Sequence, residues 1–557
     1  MTSYPALKRW LAAGLTVIVL GVAIHFVARN GGTTPVESGV LAQGPKEGDW
    51  TMYGGTPARN MANPIAKGLP VTWDIGDPED KPPRKPVNVK WFAGLGSKSY
   101  GGPIVANGRV FIGTNNQDPR DKKWVQPNGD PVDLGIVMCF EEAGGKFVWQ
   151  AVHEKLPGGQ VIDWPLQGIC SSPYVDGDRL YYISNRCEVV RADVATGKAD
   201  WTYDMIKELR VFPHNIADCS PLMIKGHLWA VTSNGVNEDH LNVPEPKAPS
   251  FIKLKVDKDL KNVTVPWQQN WPTAYLLQAN KGNLPQADFF KQLVNRGQLV
   301  QHGQWANPAY GEINGQSQVV FPGGDGWLYS VDLDGNLLWK FDCNPKNAKY
   351  ALRTGDRSDF IATPVIYKNR VYIGIGQDPE HKTGVGHFWC IDMTKKPSNA
   401  EKDVSPEVVT DNSVFPPKTK PNPDSAKVWH YGGFINDPAT IKKLRRNYYF
   451  GRTMSTAAIH EDILYISDLN GVLHCMDANS GKLHWEHDTK NEIWSSPYYA
   501  DGKVYLGTDD KMVFVFQHGT TKKKLAENEM DGRIRATPIA ANGVLYVMTE
   551  NKLYALK

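Results

Sequence analysis

The chain has 557 residues, with 62 basic and 59 acidic side chains and a formal net charge of +3. Because opposite charges are nearly balanced, the composition gives no basis for nucleic-acid binding. Glycine (52 residues), proline (39) and tryptophan (18) are abundant, which suits many short strands joined by turns better than long helices.

The N-terminus carries a candidate membrane segment. Residues 11–27 are apolar apart from Thr16 and His25, and Lys8 and Arg9 precede them. This run is slightly longer than the apolar region of a cleavable signal and near the lower length limit of a membrane-spanning helix. Since basic residues favour the cytoplasmic side, we predict a cytoplasmic stretch at residues 1–10, a transmembrane signal anchor at 11–28 and a linker at 29–48. The remainder is then extracytoplasmic (periplasmic), as it also is under the alternative of a cleaved signal peptide.

The cysteines exclude several metal and redox classes. None is adjacent to another and no CxxC or CxxCH occurs, which removes covalent haem c, zinc-ribbon and thioredoxin-like sites. We predict buried free thiols at all seven positions, three of them (Cys139, Cys390 and Cys475) in matching third strands; the others are Cys170, Cys187, Cys219 and Cys343.

A repeated unit dominates the sequence. Its clearest copy runs over residues 171–201, from Ser-Ser-Pro-Tyr-Val-Asp-Gly to Trp201, and it recurs from 495 and from 536. Asp-Gly and Asn-Gly between alternating apolar runs indicate tight hairpins. Each unit therefore predicts two strands joined by a tight turn, a third strand, a glycine-bearing turn and a fourth strand ending near tryptophan.

Eight such units can be aligned on the start of the first strand. The last two spacings, from Ala457 to Pro497 and from Pro497 to Pro538, are 40 and 41 residues, which suits a four-stranded propeller blade. We predict an all-β, eight-bladed propeller over residues 49–557, with blades starting at Pro103, Pro173, Pro221, Pro308, Pro364, Ala457, Pro497 and Pro538.

The last unit ends after three strands, at Lys557. Residues 89–92 (Val-Lys-Trp-Phe) have the pattern of the missing fourth strand, and joining the termini in one blade removes an open sheet edge. The tryptophan that closes each unit is predicted to pack between neighbouring blades, at Trp91, Trp149, Trp201, Trp267, Trp339, Trp429 and Trp485.

Residues 193–201 and 477–485 resemble the tryptophan-docking motif of pyrroloquinoline-quinone-type propellers, and the resemblance covers about residues 89–557. That family includes quinoprotein alcohol dehydrogenases, the propeller lipoprotein of the outer-membrane assembly machinery and membrane-anchored members. Segments 302–305, 321–327 and 376–381 are most similar to anchored members of planctomycete-like bacteria. The resemblance implies the fold and leaves the function open.

Departures from the dehydrogenases bear on cofactors. Those enzymes are typified by two adjacent disulfide-bonded cysteines over the quinone and by a Glu–Asn–Asp set for calcium, and neither is found in this chain. The assembly lipoprotein has shorter loops and a lipid anchor, which this chain lacks. We predict no cofactor and no metal, with pyrroloquinoline quinone plus calcium as the alternative.

Residues four to six places before each first strand are predicted to enter the mouth of the central channel. The alternative is a solvated rim with internal ion pairs. The set comprises Lys98, Gln167, Asn215, His302, Asp359, Arg452, Glu492 and Arg533.

Long excursions from the repeat are expected to form a cap or binding face; they are residues 115–136, 237–301, 344–358, 377–386 and 395–450. His381 and His387, near Asp378 and Glu380, are interpreted as hydrated loop residues because no regular ligand spacing accompanies them.

Two functions remain open. The sequence favours a non-catalytic binding or scaffold propeller of the cell envelope, held by one N-terminal helix and recruiting envelope proteins or polysaccharide. The alternative is an enzyme, a quinone-dependent dehydrogenase with a divergent site, for which Asp359 or Glu492 is the candidate base.

Overall fold

The computed structural model describes residues 46–557 except residue 241 and segments 257–261, 275–284, 296–301 and 352–353. The predicted anchor at 11–28 lies outside these residues, as does the predicted linker up to residue 45. Within the described part of the chain, no helix combines the length and apolar character needed to cross a membrane.

Eight four-stranded antiparallel sheets follow one another along the chain as blades 1 to 8. The first strands of neighbouring blades contact each other, for example in blades 1 and 2 and in blades 4 and 5, so the first strands surround the propeller axis. The eight-bladed all-β prediction is confirmed, and each predicted blade start lies one residue before the first strand of its blade.

The blades share one strand order. Blade 1 contains Ile104–Ala106, Arg109–Asn115, Leu134–Glu141 and Phe147–Glu154, and blade 2 contains Tyr174–Asp176, Arg179–Ile183, Glu188–Asp193 and Ala199–Asp204. Blade 3 contains Leu222–Ile224, His227–Val231, Phe251–Val256 and Val263–Gln269, and blade 4 contains Ala309–Ile313, Gln316–Pro322, Trp327–Val331 and Leu337–Asp342.

Blades 5 to 7 repeat this order. Blade 5 contains Val365–Tyr367, Arg370–Ile375, His387–Asp392 and Lys427–Gly432, and blade 6 contains Ala458–His460, Ile463–Ser467, Val472–Asp477 and Leu483–Asp488. Blade 7 contains Tyr498–Ala500, Lys503–Gly507, Met512–Gln517 and Lys524–Glu529.

Blade 8 is closed by both ends of the described chain. Ile539–Ala541, Val544–Met548 and Lys552–Leu556 are joined by Val89–Gly94, which pairs antiparallel with Lys552–Leu556. The register places Trp91 opposite Ala555, and the predicted closure is confirmed. The closing strand gives blade 8 the same four strands as the other blades.

Elements outside the blades are short. Helices cover Met205–Leu209, Gln286–Asn295 and Pro438–Leu444, and single 3-10 turns cover Lys122–Trp124, Gly159–Val161 and Pro379–His381. In the excursion between the third and fourth strands of blade 5, Glu407–Asp411 and Lys418–Pro421 form a separate hairpin. Ala62–Asn63 adds a parallel strand beside the first strand of blade 7.

The tryptophans join neighbouring blades. Trp149 of blade 1 donates its indole N–H to the Val194 carbonyl of blade 2 at 3.1 Å, and it packs on Gly197. A Cβ at Gly197 would lie 2.3 Å from the Trp149 ring, and φ there is +68°, so only glycine fits. Trp429 of blade 5 packs in the same way on Gly481 of blade 6.

The other predicted tryptophans occupy the equivalent fourth-strand position. Six of the seven are buried and Trp201 is half-buried; the buried ones are Trp91, Trp149, Trp267, Trp339, Trp429 and Trp485. All seven cysteines are buried and unpaired.

Residues 46–63, called the N-terminal segment below, cross one end of the central channel. Their backbone and side chains hydrogen-bond to the first strand of every blade or to the residues just before it. The partners, from blade 1 to blade 8, are Val105, Val175, Ser220, Tyr310, Ile366, Ala457, Tyr499 and Ala540. The innermost strands thereby gain partners for edge groups that a propeller otherwise leaves unpaired.

Arg59 is the centre of this segment. Its side chain is fully buried, and the guanidinium donates to the carbonyls of Tyr53 (2.9 Å), Pro308 (2.9 Å), Ser220 (3.0 Å) and Pro221 (3.1 Å). Burial lowers the pKa of Arg59 to about 10, so the group stays charged at neutral pH. One cation therefore binds carbonyls contributed by the N-terminal segment and by blades 3 and 4.

Candidate functional site

The connections between successive blades meet at the other end of the channel, which we call the mouth. A cavity of about 130 Å³ opens there, with Tyr100, Trp164, Trp305 and Trp494 among its aromatic walls. A second cavity of about 80 Å³ shares several of these walls and reaches Tyr53 of the N-terminal segment. The two cavities together extend from the mouth to the N-terminal segment.

A cation lies against the aromatic side of the mouth. The guanidinium carbon of Arg535 is 4.3 Å from the Trp494 ring centroid and 5.7 Å from that of Tyr100. Arg535 also donates to both carboxylate oxygens of Asp509, at 2.6 and 3.3 Å. Its charge is therefore already neutralised within the protein.

Asp218 is an acid on the cavity wall. It lines both cavities, and among the described residues it forms no ion pair. Burial raises the pKa of Asp218 to about 7. This carboxyl is therefore partly protonated at neutral pH, and the sequence analysis did not single it out.

Beside the cavity, three histidines from different loops form a cluster. His214 lies between blades 2 and 3, His240 on a loop of blade 3 and His302 between blades 3 and 4. One ring nitrogen from each lies within 4.8 Å of the other two. The Trp305 ring covers the cluster, with its centroid 4.4 Å from that of His302. We call this group the histidine cluster.

Two buried aspartates face His302. Its Nδ1 is 3.2 Å from Asp359 Oδ2 and its Nε2 is 3.4 Å from Asp378 Oδ2. Burial alone would lower the pKa of His302, but the two carboxylates raise it. Burial raises the pKa of Asp359 to about 6, whereas for Asp378 the effect of burial is outweighed by His302 and the Glu380 N–H, which bring the pKa to about 2.

The other two histidines are held neutral. Burial, with the neighbouring histidines, lowers the pKa of His214 well below its usual range and that of His240 to about 3. His214 Nδ1 lies 2.9 Å from the Val236 carbonyl oxygen. Because a carbonyl only accepts, Nδ1 carries the proton and Nε2 presents its lone pair.

The loop that carries Asp378 is fixed by Arg452. This arginine has no exposed surface, and its guanidinium donates to the carbonyls of His381 (2.9 Å), Lys382 (3.0 Å) and Gly355 (3.1 Å). Burial lowers the pKa of Arg452 to about 10. Arg452 was predicted at the mouth as a ligand-binding residue, and the structure instead places it beneath the loop, where it supports Asp378.

The remaining predicted mouth residues divide into three groups. Gln167 and Asn215 line the cavity, and His302 and Asp359 belong to the histidine cluster and its aspartates, described above. The other three lie outside the cavity wall: Lys98 is half-buried, and Glu492 and Arg533 are exposed.

The aromatic walls and two of the clustered histidines were not predicted from the sequence. Trp305 lies in a segment that indicated only a family resemblance, and His214 and His240 have no regular ligand spacing. His381 lies next to His240, with ring centroids 5.0 Å apart, whereas His387 lies against His430 instead.

A larger groove of about 830 Å³ lies outside the ring, between residues 73–86 and the outer strands of blades 7 and 8. Its charged groups pair with one another, as in Arg84–Asp74 (3.3 Å) and Lys552–Asp531 (2.6 Å). Such exposed pairs are ordinary surface features.

The fold and the mouth define the class of this protein, a closed eight-bladed β-propeller with an aromatic and ionisable mouth. A family model described as outer membrane protein assembly factor BamB matches residues 133–237 and 419–557. This match covers less than half of the chain, and together with the eight blades it fits the pyrroloquinoline-quinone-repeat family of β-propellers.

Individual relatives are distant. An uncharacterized protein of Rickettsia conorii is 25% identical over 208 residues, 35% of this chain and 48% of that protein, so the chain spans about half the length of this curated relative. The quinohemoprotein alcohol dehydrogenase ADHIIG from Pseudomonas putida HK5 superposes with TM-score 0.52 at 12% identity, over 92% of this chain and 80% of that one. BamB from Moraxella catarrhalis gives 0.43 at 13% identity, over 76% and 88%. The structural likeness at this identity shows the fold alone.

Proposed function

We propose that this chain is a non-catalytic binding propeller of the cell envelope whose mouth receives a small part of a protein or polysaccharide partner. The observation that carries the proposal is the cavity of about 130 Å³ with aromatic walls at Tyr100, Trp164, Trp305 and Trp494. Small-molecule sites usually measure about 300–1,000 Å³, so this one suits a single side chain or sugar substituent. Tyr100, Trp164 and Trp494 are partly exposed whereas Trp305 is buried, and tryptophan and tyrosine are enriched among the residues that anchor such contacts.

Pyrroloquinoline quinone, the cofactor that the fold family implies, does not fit this mouth. A three-ring quinone with three carboxylates exceeds the cavity, and the adjacent cation of Arg535 is already bound to Asp509. The cysteines are single and buried, so none is placed to pair with a neighbour over a ligand. We therefore derive no chemistry through the quinone.

One observation favours the alternative of a dehydrogenase. Asp218 is a cavity-lining carboxyl whose pKa is raised by burial to about 7, a property that suits a general base. The bases named from the sequence are less suited, since Asp359 faces His302 at 3.2 Å and Glu492 is an exposed acceptor for the Trp494 indole. Burial among apolar groups raises the pKa of any carboxyl in this way. The raised pKa of Asp218 is therefore no evidence of catalysis by itself.

Quinone addition separates the two functions. We expect the purified chain to bind no stoichiometric pyrroloquinoline quinone in the presence of calcium, as measured by absorbance and native mass spectrometry, and to reduce no dye with alcohols. The reason is the size of the cavity. Stoichiometric binding, with turnover that Asp218→Asn abolishes, would contradict the proposal and establish the dehydrogenase.

Location in the envelope is supported by the basic flank of the predicted anchor, Lys8 and Arg9, and by the match to the family model of an outer membrane protein assembly factor. The propeller is then exposed on the extracytoplasmic face. A cross-linker that cannot pass the inner membrane will reach it in intact spheroplasts.

Partner capture under these conditions tests the mouth directly. We expect Trp494→Ala to reduce the cross-linked partner about tenfold or more, because loss of an aromatic anchor typically costs about 2 kcal/mol. Phe92→Ala is the matched control, since Phe92 is an aromatic residue 55% exposed on the outer strand of blade 8. Equal yields from wild type and Trp494→Ala would exclude the mouth as the contact, and capture only after permeabilisation would exclude the location.

A further inference from the structure

The histidine cluster has the residue types and the placement of a transition-metal site. His214 and His302 are buried to 0% and 3% exposure and His240 is half-buried. One nitrogen from each lies within 4.8 Å of the others. The three come from separate connections in the fold, so their proximity is a product of the tertiary structure rather than of a local turn.

Two nitrogens of the cluster have no hydrogen-bond partner among the described residues. They are Nε2 of His214 and Nδ1 of His240, and both are buried, whereas the two nitrogens of His302 face the carboxylates of Asp359 and Asp378. Buried polar atoms are nearly always satisfied. Two unsatisfied imidazole nitrogens beside a third imidazole and two carboxylates therefore point to a bound cation.

We propose that His214, His240 and His302 bind one divalent first-row transition-metal ion, with Zn²⁺ the best match, and that a carboxylate of Asp359 or Asp378 completes the site. Three imidazoles and one carboxylate suit zinc, whereas calcium and magnesium take oxygen ligands. This site is distinct from the family's calcium and quinone chemistry and from the partner contact proposed above.

The surroundings supply the outer support that metal-binding histidines require. His214 Nδ1 donates to the Val236 carbonyl at 2.9 Å, which points Nε2 away from that carbonyl. The two nitrogens of His302 face Asp359 and Asp378, at 3.2 and 3.4 Å. Whichever nitrogen of His302 meets the ion, the other can therefore donate to a carboxylate, the usual arrangement around zinc.

The spacing of the three rings is close to that of a metal-binding site. Zn–N bonds of about 2.0–2.1 Å place tetrahedral ligand atoms about 3.4 Å apart. The present limit of 4.8 Å means that the three ligand nitrogens must move closer together when the ion binds.

An ion here would link three blades at the edge of the mouth. His214 lies before blade 3, His240 within it and His302 before blade 4, while Asp378 belongs to a loop of blade 5. Asp378 also lines the cavity. The metal would thus hold the loops that shape the mouth, and we expect it to raise the melting temperature of the protein.

The test uses the chain freed of metal with a chelator and then titrated with Zn²⁺ or Co²⁺. We expect one ion per chain by elemental analysis, a cobalt absorption band of tetrahedral type, and quenching of Trp305 fluorescence by Co²⁺, since its ring is 4.4 Å from His302. His302→Gln should weaken zinc binding by more than about 100-fold and Asp378→Asn by about 10–100-fold.

Controls keep the test decisive. His153 is a half-buried histidine on blade 1, and its ring lies 3.7 Å from Glu188 of blade 2. Because His153 is outside the histidine cluster, His153→Gln should leave zinc binding unchanged. His240→Ala changes the half-buried member of the cluster, so it should fold while losing the zinc-dependent rise in melting temperature. Absence of stoichiometric binding, or binding that survives both His302→Gln and His240→Ala, would overturn the proposal.

Discussion

Replacing Arg59 by methionine is expected to lower the free energy of unfolding by about 3–5 kcal/mol, the cost of breaking a buried charge network. The guanidinium is fully buried and donates to the carbonyls of Tyr53, Pro308, Ser220 and Pro221. Methionine replaces much of the volume but leaves these acceptors without a donor, and each buried orphan costs about 1–3 kcal/mol. Denaturant unfolding followed by tryptophan fluorescence measures the change.

Arg84→Met is the matched control for this substitution. Arg84 also lies before blade 1, but its side chain is 53% exposed and it pairs with Asp74 and Asp80 on the surface. Exposed pairs contribute about 0–1 kcal/mol, so a small change is expected. If Arg59→Met and Arg84→Met lowered the free energy of unfolding equally, the buried cation of Arg59 would not be what holds the N-terminal segment.

Removal of residues 1–95 is expected to prevent folding, while removal of residues 1–45 leaves a folded propeller. The longer deletion takes away Val89–Gly94, whose pairing with Lys552–Leu556 closes blade 8. It also removes the Trp91 indole, which donates to the Glu142 carbonyl of blade 1 at 3.0 Å. Without them blade 8 loses its fourth strand and its junction with blade 1.

A third deletion separates the two parts that the longer truncation removes. Deletion of residues 1–64 takes away the N-terminal segment but keeps the closing strand, so we expect a propeller of lower stability with an open channel. Circular dichroism and gel filtration distinguish the three variants. A stable monomer after deletion of residues 1–95 would contradict the closure of blade 8 by Val89–Gly94.

Most of the propeller was accessible from the sequence because its signals are local and repeated. Asp501-Gly502 and Asn542-Gly543 adopt positive φ at both residues, as the tight turn between the first two strands requires. Gly197 is needed where Trp149 packs on the next blade. These requirements act within a few residues or between one repeat and the next. They could therefore be recognised in the sequence without knowledge of how the blades close into a ring.

The mouth was predicted only in part, since strand direction and loop packing decide which side chain enters the channel. Gln167 and Asn215 line the cavity as expected. Arg452 is covered by the loop that it supports, through bonds to His381 and Lys382. That loop is an excursion from the repeat, and no period in the sequence fixes its position.

The eight blades, their closure and the tryptophan junctions could be predicted from the sequence, because each depends on residue types at fixed spacing. The N-terminal segment and the histidine cluster became visible only in the folded chain. Asn63 meets Ala540 across 477 residues of chain, and His214, His240 and His302 stand on three separate loops. Contacts between distant, non-repeating segments leave no periodic trace, since they arise only when the closed ring brings the blade connections to one end of its axis.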